Sequence, residues 1–249
     1  MNKTIFYHVW KSRRWRELVR LQLNHLRVSG LYEEVDCVRI YANGPEDGLE
    51  DLVFGYDKVV IESDTNEDIF ELGTMAALRQ YCIENPTDYV YYMHTKGLSR
   101  SSKPVDDWRI VMEYFTIGHH RLCTDLLDAG ADMVGINLFP GPVIHYSGNF
   151  WWAKASYIAT LPEIVISKYN RMAAEFWPVS GQGQFECLHY TEVDHYLQQY
   201  PFESYRNIDA LGAYREATEI RQRIWSEHNL PLLPILPDFG LADAEEKSA

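Results

Sequence analysis

The chain has 249 residues and a formal net charge of −13, with 46% hydrophobic and 14% aromatic residues. That composition excludes a disordered chain and a general nucleic-acid binder, which needs a basic stripe to displace counterions. It leaves room for an anionic ligand held by a few local cations and backbone N–H groups, and a chain this long buries roughly three-quarters of the surface it exposes unfolded, enough for one large α/β domain or two small ones.

Cys37, Cys82, Cys123 and Cys187 are far apart and form no CxxC pair, so they read as free buried thiols suited to a reducing cytosol. The opening residues carry too short an apolar run for a signal peptide, and no apolar segment approaches the ~20 residues of a membrane span. A cytoplasmic location is expected, with peripheral membrane contact left open.

In chain order, Thr4 to Val9 reads as a first strand. Trp15 to Val28 carries Leu18, Leu21, Leu23 and Leu26 at helical spacing, and Gly30 would stop that helix. Asp36 to Tyr41 is a second strand, ended by Asn43-Gly44-Pro45, and Lys58 to Glu62 a third. A helix follows from Asn66 to Asn85. Tyr89 to Met93 is a continuous apolar, aromatic and β-branched run, which reads as a strand buried on both faces. This alternation predicts a mainly parallel α/β sheet. Beyond it, Asp106 to Asp128 reads as one long helix, Asp132 to Asn137 as a strand, Ala155 to Leu161 as a short helix, Asn170 to Trp177 as a short helical or extended element, and Glu192 to Tyr200 and Ala213 to Glu227 as helices. With no repeat and no long linker, residues 1–229 are expected to form one domain, followed by a Pro-rich and then acidic tail over 230–249 that frays or lies on the surface.

The chemistry concentrates in two places. The central strand ends in His94-Thr95-Lys96-Gly97, and the carboxyl end of a central parallel strand is where open α/β sheets hold ligands. There Lys96 can neutralise a diphosphate, Thr95 can hydrogen-bond it, Gly97 lets backbone approach, and His94 can hold a phosphate or a metal. Arg100 and Lys103 would add a cationic loop over the same edge. The plain alternative is a satisfied core histidine and a solvated basic loop. The second place is His145-Tyr-Ser-Gly-Asn-Phe-Trp-Trp-Ala153. His145 is a candidate catalytic group. Ser147 and Asn149 offer hydrogen bonds to hydroxyls, Gly148 a tight turn, and Trp151 and Trp152 flat faces for a sugar or base. The alternative is that Trp151 and Trp152 are core residues of a short strand, and alternation also allows one to face inward while the other lines the site. Candidate bases are Glu175, Glu186, Glu192 and Asp194. Glu175 stands out because its apolar neighbours in Arg171-Met-Ala-Ala-Glu-Phe-Trp177 would raise its pKa. HExxH, GxGxxG, P-loop and GxSxG motifs are absent.

With these residues in view, the chain resembles nucleotide-sugar-dependent glycosyltransferases of the GT-A fold, most of all a group from bacteria and large DNA viruses. The resemblance rests on His94-Thr-Lys-Gly97, on Trp108-Arg-Ile-Val-Met-Glu-Tyr-Phe115, on Val134-Gly-Ile-Asn137, on Ser147 to Ala153 and on Leu161-Pro162. It implies helices on both faces of the sheet, a Rossmann-like nucleotide-sugar half over about 1–137 and an acceptor half over 138–229. It places Tyr7, His8 and Val9 near the nucleotide base with Asn43 and Gly44 close by, and Glu71, Gly73 and Thr74 facing the ribose and diphosphate. Where such enzymes hold Mn²⁺ or Mg²⁺ on Asp-x-Asp, this chain has His94-Thr95-Lys96. A metal-independent site with Lys96 supplying the charge is one consequence; the other is a metal on His94 with Asp106 or Asp107.

The expectation is therefore transfer of a hexose or deoxyhexose from a nucleoside diphosphate sugar, UDP-sugar favoured, to a hydroxyl of a glycan acceptor, as in polysaccharide biosynthesis. Lys96 and Arg100 would stabilise the departing diphosphate. Glu175 would be the base if transfer inverts and is not needed if it retains. Two alternatives are a sugar-nucleotide nucleotidyltransferase, for which Lys11-Ser-Arg-Arg14 after the first strand is basic but lacks glycine, and a non-catalytic carbohydrate-binding domain.

Overall fold

The computed structural model describes residues 1–65, 69–98, 102–167, 169–170 and 172–228. The expected tail over 230–249 and Arg100 lie outside the described residues. In order, the elements are β1 (Lys3–Trp10), α1 (Trp15–Val28), α2 (Leu31–Glu34), β2 (Cys37–Asn43), α3 (Leu49–Val53), β3 (Val59–Thr65), α4 (Leu72–Glu84), β4 (Tyr89–His94), α5 (Lys103–Glu113), a π-helical turn (Tyr114–Gly118) and α6 (His120–Asp128). Then come β5 (Met133–Gly135), β6 (Leu138–Phe139), β7 (His145–Tyr146), β8 (Trp151–Lys154), α7 (Ala155–Thr160), α8 (Ala173–Phe176) running into a 3₁₀ turn (Trp177–Val179), β9 (Phe185–Cys187), a 3₁₀ turn (Phe202–Ser204) and α9 (Ala210–Glu227).

Among the described residues these strands form a seven-stranded sheet in the order β3-β2-β1-β4-β8-β5-β9, beside a small β6-β7 ladder. Only β8 runs against its neighbours β4 and β5; the β1, β2, β3 and β4 pairings and the β5–β9 pairing are parallel. The mainly parallel α/β sheet expected from the alternating pattern is thus present.

Side-chain alternation splits the core into two layers. Tyr7, Tyr91, Val134 and Trp152 face one cluster with α1, α5 and α6, and Phe6, Tyr92, Met133 and Trp151 face the other with α4, α7 and α9. The adjacent indoles therefore go to opposite faces, and both are fully buried. Each stacks on its cross-strand partner in β4: Trp152 on Tyr91 with centroids 4.9 Å apart, and Trp151 on Tyr92 at 5.3 Å. The described thiols at Cys82, Cys123 and Cys187 are free and buried, and Cys37 is free and half-buried.

Several elements depart from expectation. The long helix over Asp106 to Asp128 starts at Lys103, with Pro104 tolerated in the first turn, and is interrupted by the π turn. Trp152 Nε1 donates to Thr116 O at 2.8 Å, drawing that carbonyl out of the helical ladder where the turn widens. The strand expected to reach Asn137 stops at Gly135, and Asn137 is in the left-handed region at φ 49°. The helix expected from Asn66 is helical only from Leu72, and residues 66–68 lie outside the described residues. The helix expected over Glu192 to Tyr200 is a turn: Asp194 Oδ1 accepts from Tyr196 N at 2.9 Å, Asp194 O accepts from Leu197 N and Gln198 N, and Pro201 follows.

No helix among the described residues is long and apolar enough to cross a membrane. Because Trp152 supplies both a stacked ring and the N–H that shapes the π turn, Trp152→Ala should cost about 3–5 kcal/mol of stability. Urea unfolding followed by circular dichroism will measure it; a midpoint close to wild type would contradict this role.

Candidate functional site

The parallel strands β1 and β4 pair His8 with His94, so two imidazoles emerge side by side at the carboxyl edge, on the face covered by α4. Above them is a cleft of about 510 Å³ lined by His8, Trp10, Ser12, Arg13, Phe70, Glu71, the run His94 to Leu98, Val105, Met172, Glu175 and Tyr196. Of the residues expected at a donor site, His8, Glu71, His94, Thr95, Lys96 and Gly97 are brought together here, and Glu175 joins them from α8.

The floor is organised by Glu71, the N-cap residue of α4. Its Oε2 accepts from Tyr92 Oη at 2.9 Å and Asn149 Nδ2 at 3.0 Å, and lies 3.0 Å from His94 Nδ1 in a poorly directed ion-pair contact. Burial works to raise the Glu71 carboxyl, but His94 beside it, with Lys96, outweighs it and holds it well below the usual carboxylate range. Burial, helped by the same charge, pushes the Tyr92 phenol well up and keeps it a donor. His8 is the opposite case. Burial pushes it down to about 4, against the pull of Glu71 and with help from His94, so it is neutral and shares a 3.0 Å hydrogen bond with Thr74 Oγ1.

At the turn after β4, Thr95 Oγ1 accepts from Trp10 N at 2.9 Å, which leaves its own O–H for a ligand. Gly97 has φ 97°, and a Cβ there would come within 3.2 Å of Val105 Cγ1, so backbone conformation and space both favour glycine. Lys96 Nζ rests 4.0 Å from the centroid of the Trp108 ring. Arg13 Nη1 donates to Leu98 O at 3.0 Å, at the end of the same turn. Arg13 at φ 60° and Phe70 at φ 50° are both left-handed, a conformation that bulky side chains adopt at a cost and that collects at functional sites. Asn43 Nδ2 holds the Phe70 carbonyl at 2.9 Å.

The remaining sequence-expected residues are placed elsewhere. Tyr7 and Val9 point into the core, because odd positions of β1 face away from α4; Tyr7 Oη donates to Gln22 Oε1 at 2.6 Å. Asn43 is buried behind Phe70, Thr74 behind His8, and Gly73 packs against Ile69 in the first turn of α4. Trp151 and Trp152 are core residues and present no face to a sugar. Asn149 is used up internally, with Nδ2 on Glu71 and on Ala174 O and Oδ1 accepting from Trp151 Nε1, so it does not read ligand hydroxyls. Ser147 donates its backbone N–H to Asn137 O, and Gly148 packs against Met112 and Trp108. His145 pairs with Phe139 in β7, its Nδ1 2.8 Å from Val143 O, and does not line the cleft. Asp106 is ion-paired with Arg14 and Asp107 with Lys103, so neither joins His94. Among the described residues no group of three or more His, Cys, Asp or Glu side chains is arranged to hold a metal.

Sequence reasoning did not place Trp10, Ser12, Arg13, Phe70, Met172 or Tyr196 at the site. The basic Lys11 to Arg14 stretch immediately after a strand was the available signal for Arg13. Tyr196 was assigned to a helix, and nothing in the sequence announces the backbone of Phe70.

A family model described as a domain of unknown function (DUF8361) matches residues 6–219. The chain belongs to that family. Comparison with curated proteins returned no match. Among solved structures, a 4-diphosphocytidyl-2C-methyl-D-erythritol synthase is similar at 12% identity and a TM-score of 0.38, covering 82% of this chain and 95% of that one. A likeness that distant assigns neither activity nor substrate.

His8 yields a stability prediction. It is neutral when folded near neutral pH and has an ordinary value of 6.5 when unfolded, so between about pH 6.5 and 4 the unfolded chain binds more protons and stability falls as pH falls. By pH 5 the loss from His8 should be about 2 kcal/mol, with His189 and His195, also pushed down to about 4 by burial, acting in the same direction. Urea midpoints at pH 7 and 5 test this; His8→Gln should show a shallower dependence, and an unchanged slope would count against it.

Proposed function

We propose that the chain is a nucleotide-sugar-dependent glycosyltransferase of GT-A type, in which the cleft at the carboxyl edge of β1 and β4 binds a nucleoside diphosphate sugar. The observation that supports this most is the convergence, in one cleft, of His8, Thr95, Lys96 and the Gly97 turn with Glu175. A donor of this kind needs a cation and close backbone approach at its paired phosphates, and a hydroxyl acceptor needs a base within reach if the reaction inverts.

In this proposal Lys96 neutralises the charge that develops on the leaving diphosphate as the bond from the anomeric carbon to its phosphate oxygen breaks. Thr95 donates its O–H to a phosphate oxygen, and the acceptor oxygen gives its proton to Glu175 as it bonds to the anomeric carbon. Arg13, which lines the same cleft, is the second cation for the phosphates. UDP-sugar is the favoured donor and a glycan hydroxyl the acceptor.

A second proposal, a sugar-nucleotide nucleotidyltransferase, is favoured by one specific observation: Ser12 and Arg13, in the basic stretch directly after β1, line the same cleft. The products discriminate. Incubated with UDP-sugars and saccharide acceptors, a glycosyltransferase releases free nucleoside diphosphate. A nucleotidyltransferase given a nucleoside triphosphate and a sugar phosphate releases pyrophosphate, and a binding domain releases neither.

Lys96→Ala should lower nucleoside diphosphate release about 100-fold or more, and normal turnover by this variant would remove Lys96 from its role. Glu175→Gln should lower transfer by about 10²–10⁴ with UDP affinity unchanged if the base assignment holds. Full transfer by Glu175→Gln would point to a retaining reaction.

A further inference from the structure

Lys96 is the cation on which the proposed donor site depends, and a lysine ammonium on a four-carbon stem does not fix its own position. Its surroundings do. The ammonium sits 4.0 Å from the centroid of Trp108 in α5, and Trp108 is itself held on several sides. His195 stacks parallel to the indole, centroids 5.4 Å apart and planes 9° from parallel, and Tyr196 meets it edge-on at 5.1 Å. Gly148 makes the room: a Cβ there would collide with Met112 Sδ and come within 3.0 Å of Trp108 Cε2.

The indole N–H is the polar handle for which an interior tryptophan usually finds a partner. Here Trp108 Nε1 is buried without a hydrogen-bond partner among the described residues, so the ring face, not the N–H, is what this position uses. The group stacked on that ring has to be uncharged if the same π system is to attract an ammonium. Asn137 secures this. Its Oδ1 accepts from Thr191 N at 2.8 Å, which fixes its amide so that Nδ2 faces His195 Nε2 at 3.3 Å. A nitrogen facing a donor is an acceptor, so the His195 ring is neutral with its proton on Nδ1. Burial also pushes His195 down to about 4, with Lys96 adding to the fall and Asp194 and Asp107 opposing it.

We infer that Trp108, backed by a neutral His195 whose tautomer is set by Asn137, is the positioning residue that presents the Lys96 ammonium to the paired phosphates of the donor. This rests on the donor-site proposal above. Trp108 does not touch the ligand in this arrangement; it acts through Lys96.

The test measures dissociation constants for UDP and for inorganic pyrophosphate by calorimetry. Trp108→Leu should weaken both about 10-fold, and Trp108→Phe, which keeps an aromatic face, should remain within about 3-fold of wild type. In a Lys96→Met background Trp108→Leu should cost nothing further, because the two residues work as one unit. Wild-type affinity in Trp108→Leu, or losses that multiply in the double variant, would overturn the inference while leaving the donor site standing. No UDP binding by the wild type would overturn the donor site and this inference together. Should Trp108→Leu fail to fold, fluorine resonances of protein labelled with 5-fluorotryptophan decide. The Trp108 signal, identified by its loss in Trp108→Phe, should shift in Lys96→Met, and an unmoved signal would overturn the contact.

Discussion

A carboxylate set into the floor of the cleft is the constraint on which the site depends. Glu71 Oε2 accepts from a phenol of β4 and an amide of the loop before β8, and an imidazole at the end of β4 lies against it. A charge withdrawn from water at this depth is tolerated only when such partners are present and well placed. Its position at the start of α4 adds the favourable end of a helix dipole. The three partners reach Glu71 only if β4 and β8 hold their register, so the electrostatics of the floor and the pairing of the sheet enforce one another. Removing one donor would leave a partly desolvated charge short of a partner, a larger penalty than the net worth of one hydrogen bond.

That dependence changes the part played by the aromatic segment from Ser147 to Ala153. It supports the cleft from one layer behind. Asn149 is left-handed at φ 61°, and in that conformation its side chain spans Glu71, Ala174 and Trp151. Gly148 leaves the space that Trp108 fills. The indoles then lock β8 against β4 on both faces of the sheet. A run rich in groups that could bind a sugar is thus consumed in holding the groups that face the ligand, as expected when a precise site needs a rigid supporting shell.

The sequence was most informative where one physical signal dominated. The buried run Tyr89 to Met93 and the helical spacing of Trp15 to Val28 specify their elements, because burial on two faces and burial on one stripe leave different periods. The strand-end rule placed His94 to Gly97 at the cleft for the same reason. What failed was side-chain direction. Tyr7, His8 and Val9 are consecutive, but only the even position faces α4, and the sequence does not say which parity faces the site. Local polar competition was also hidden: Asp194 caps a turn where a helix was expected, and that turn carries His195 and Tyr196 to Trp108. The left-handed backbones at Arg13 and Phe70 are imposed by tertiary contacts, such as the Asn43 bond to the Phe70 carbonyl, which no local pattern encodes.

The net charge of −13 and a proposed anion site are compatible for a reason visible at the carboxyl edge of the sheet. Several acids at this edge are matched: Asp64 by Lys11, Asp106 by Arg14, Asp107 by Lys103, and Glu71 by the Tyr92 and Asn149 donors. Paired charges cancel at short range, whereas the surplus of surface carboxylates acts through water over distances that salt screens within about 8 Å. A diphosphate in the cleft would therefore meet the local field of Lys96 and Arg13 rather than the field of the whole protein. Each of these pairs cancels one carboxylate at short range, so Asp64, Asp106 and Asp107 set no bare negative charge beside the cleft.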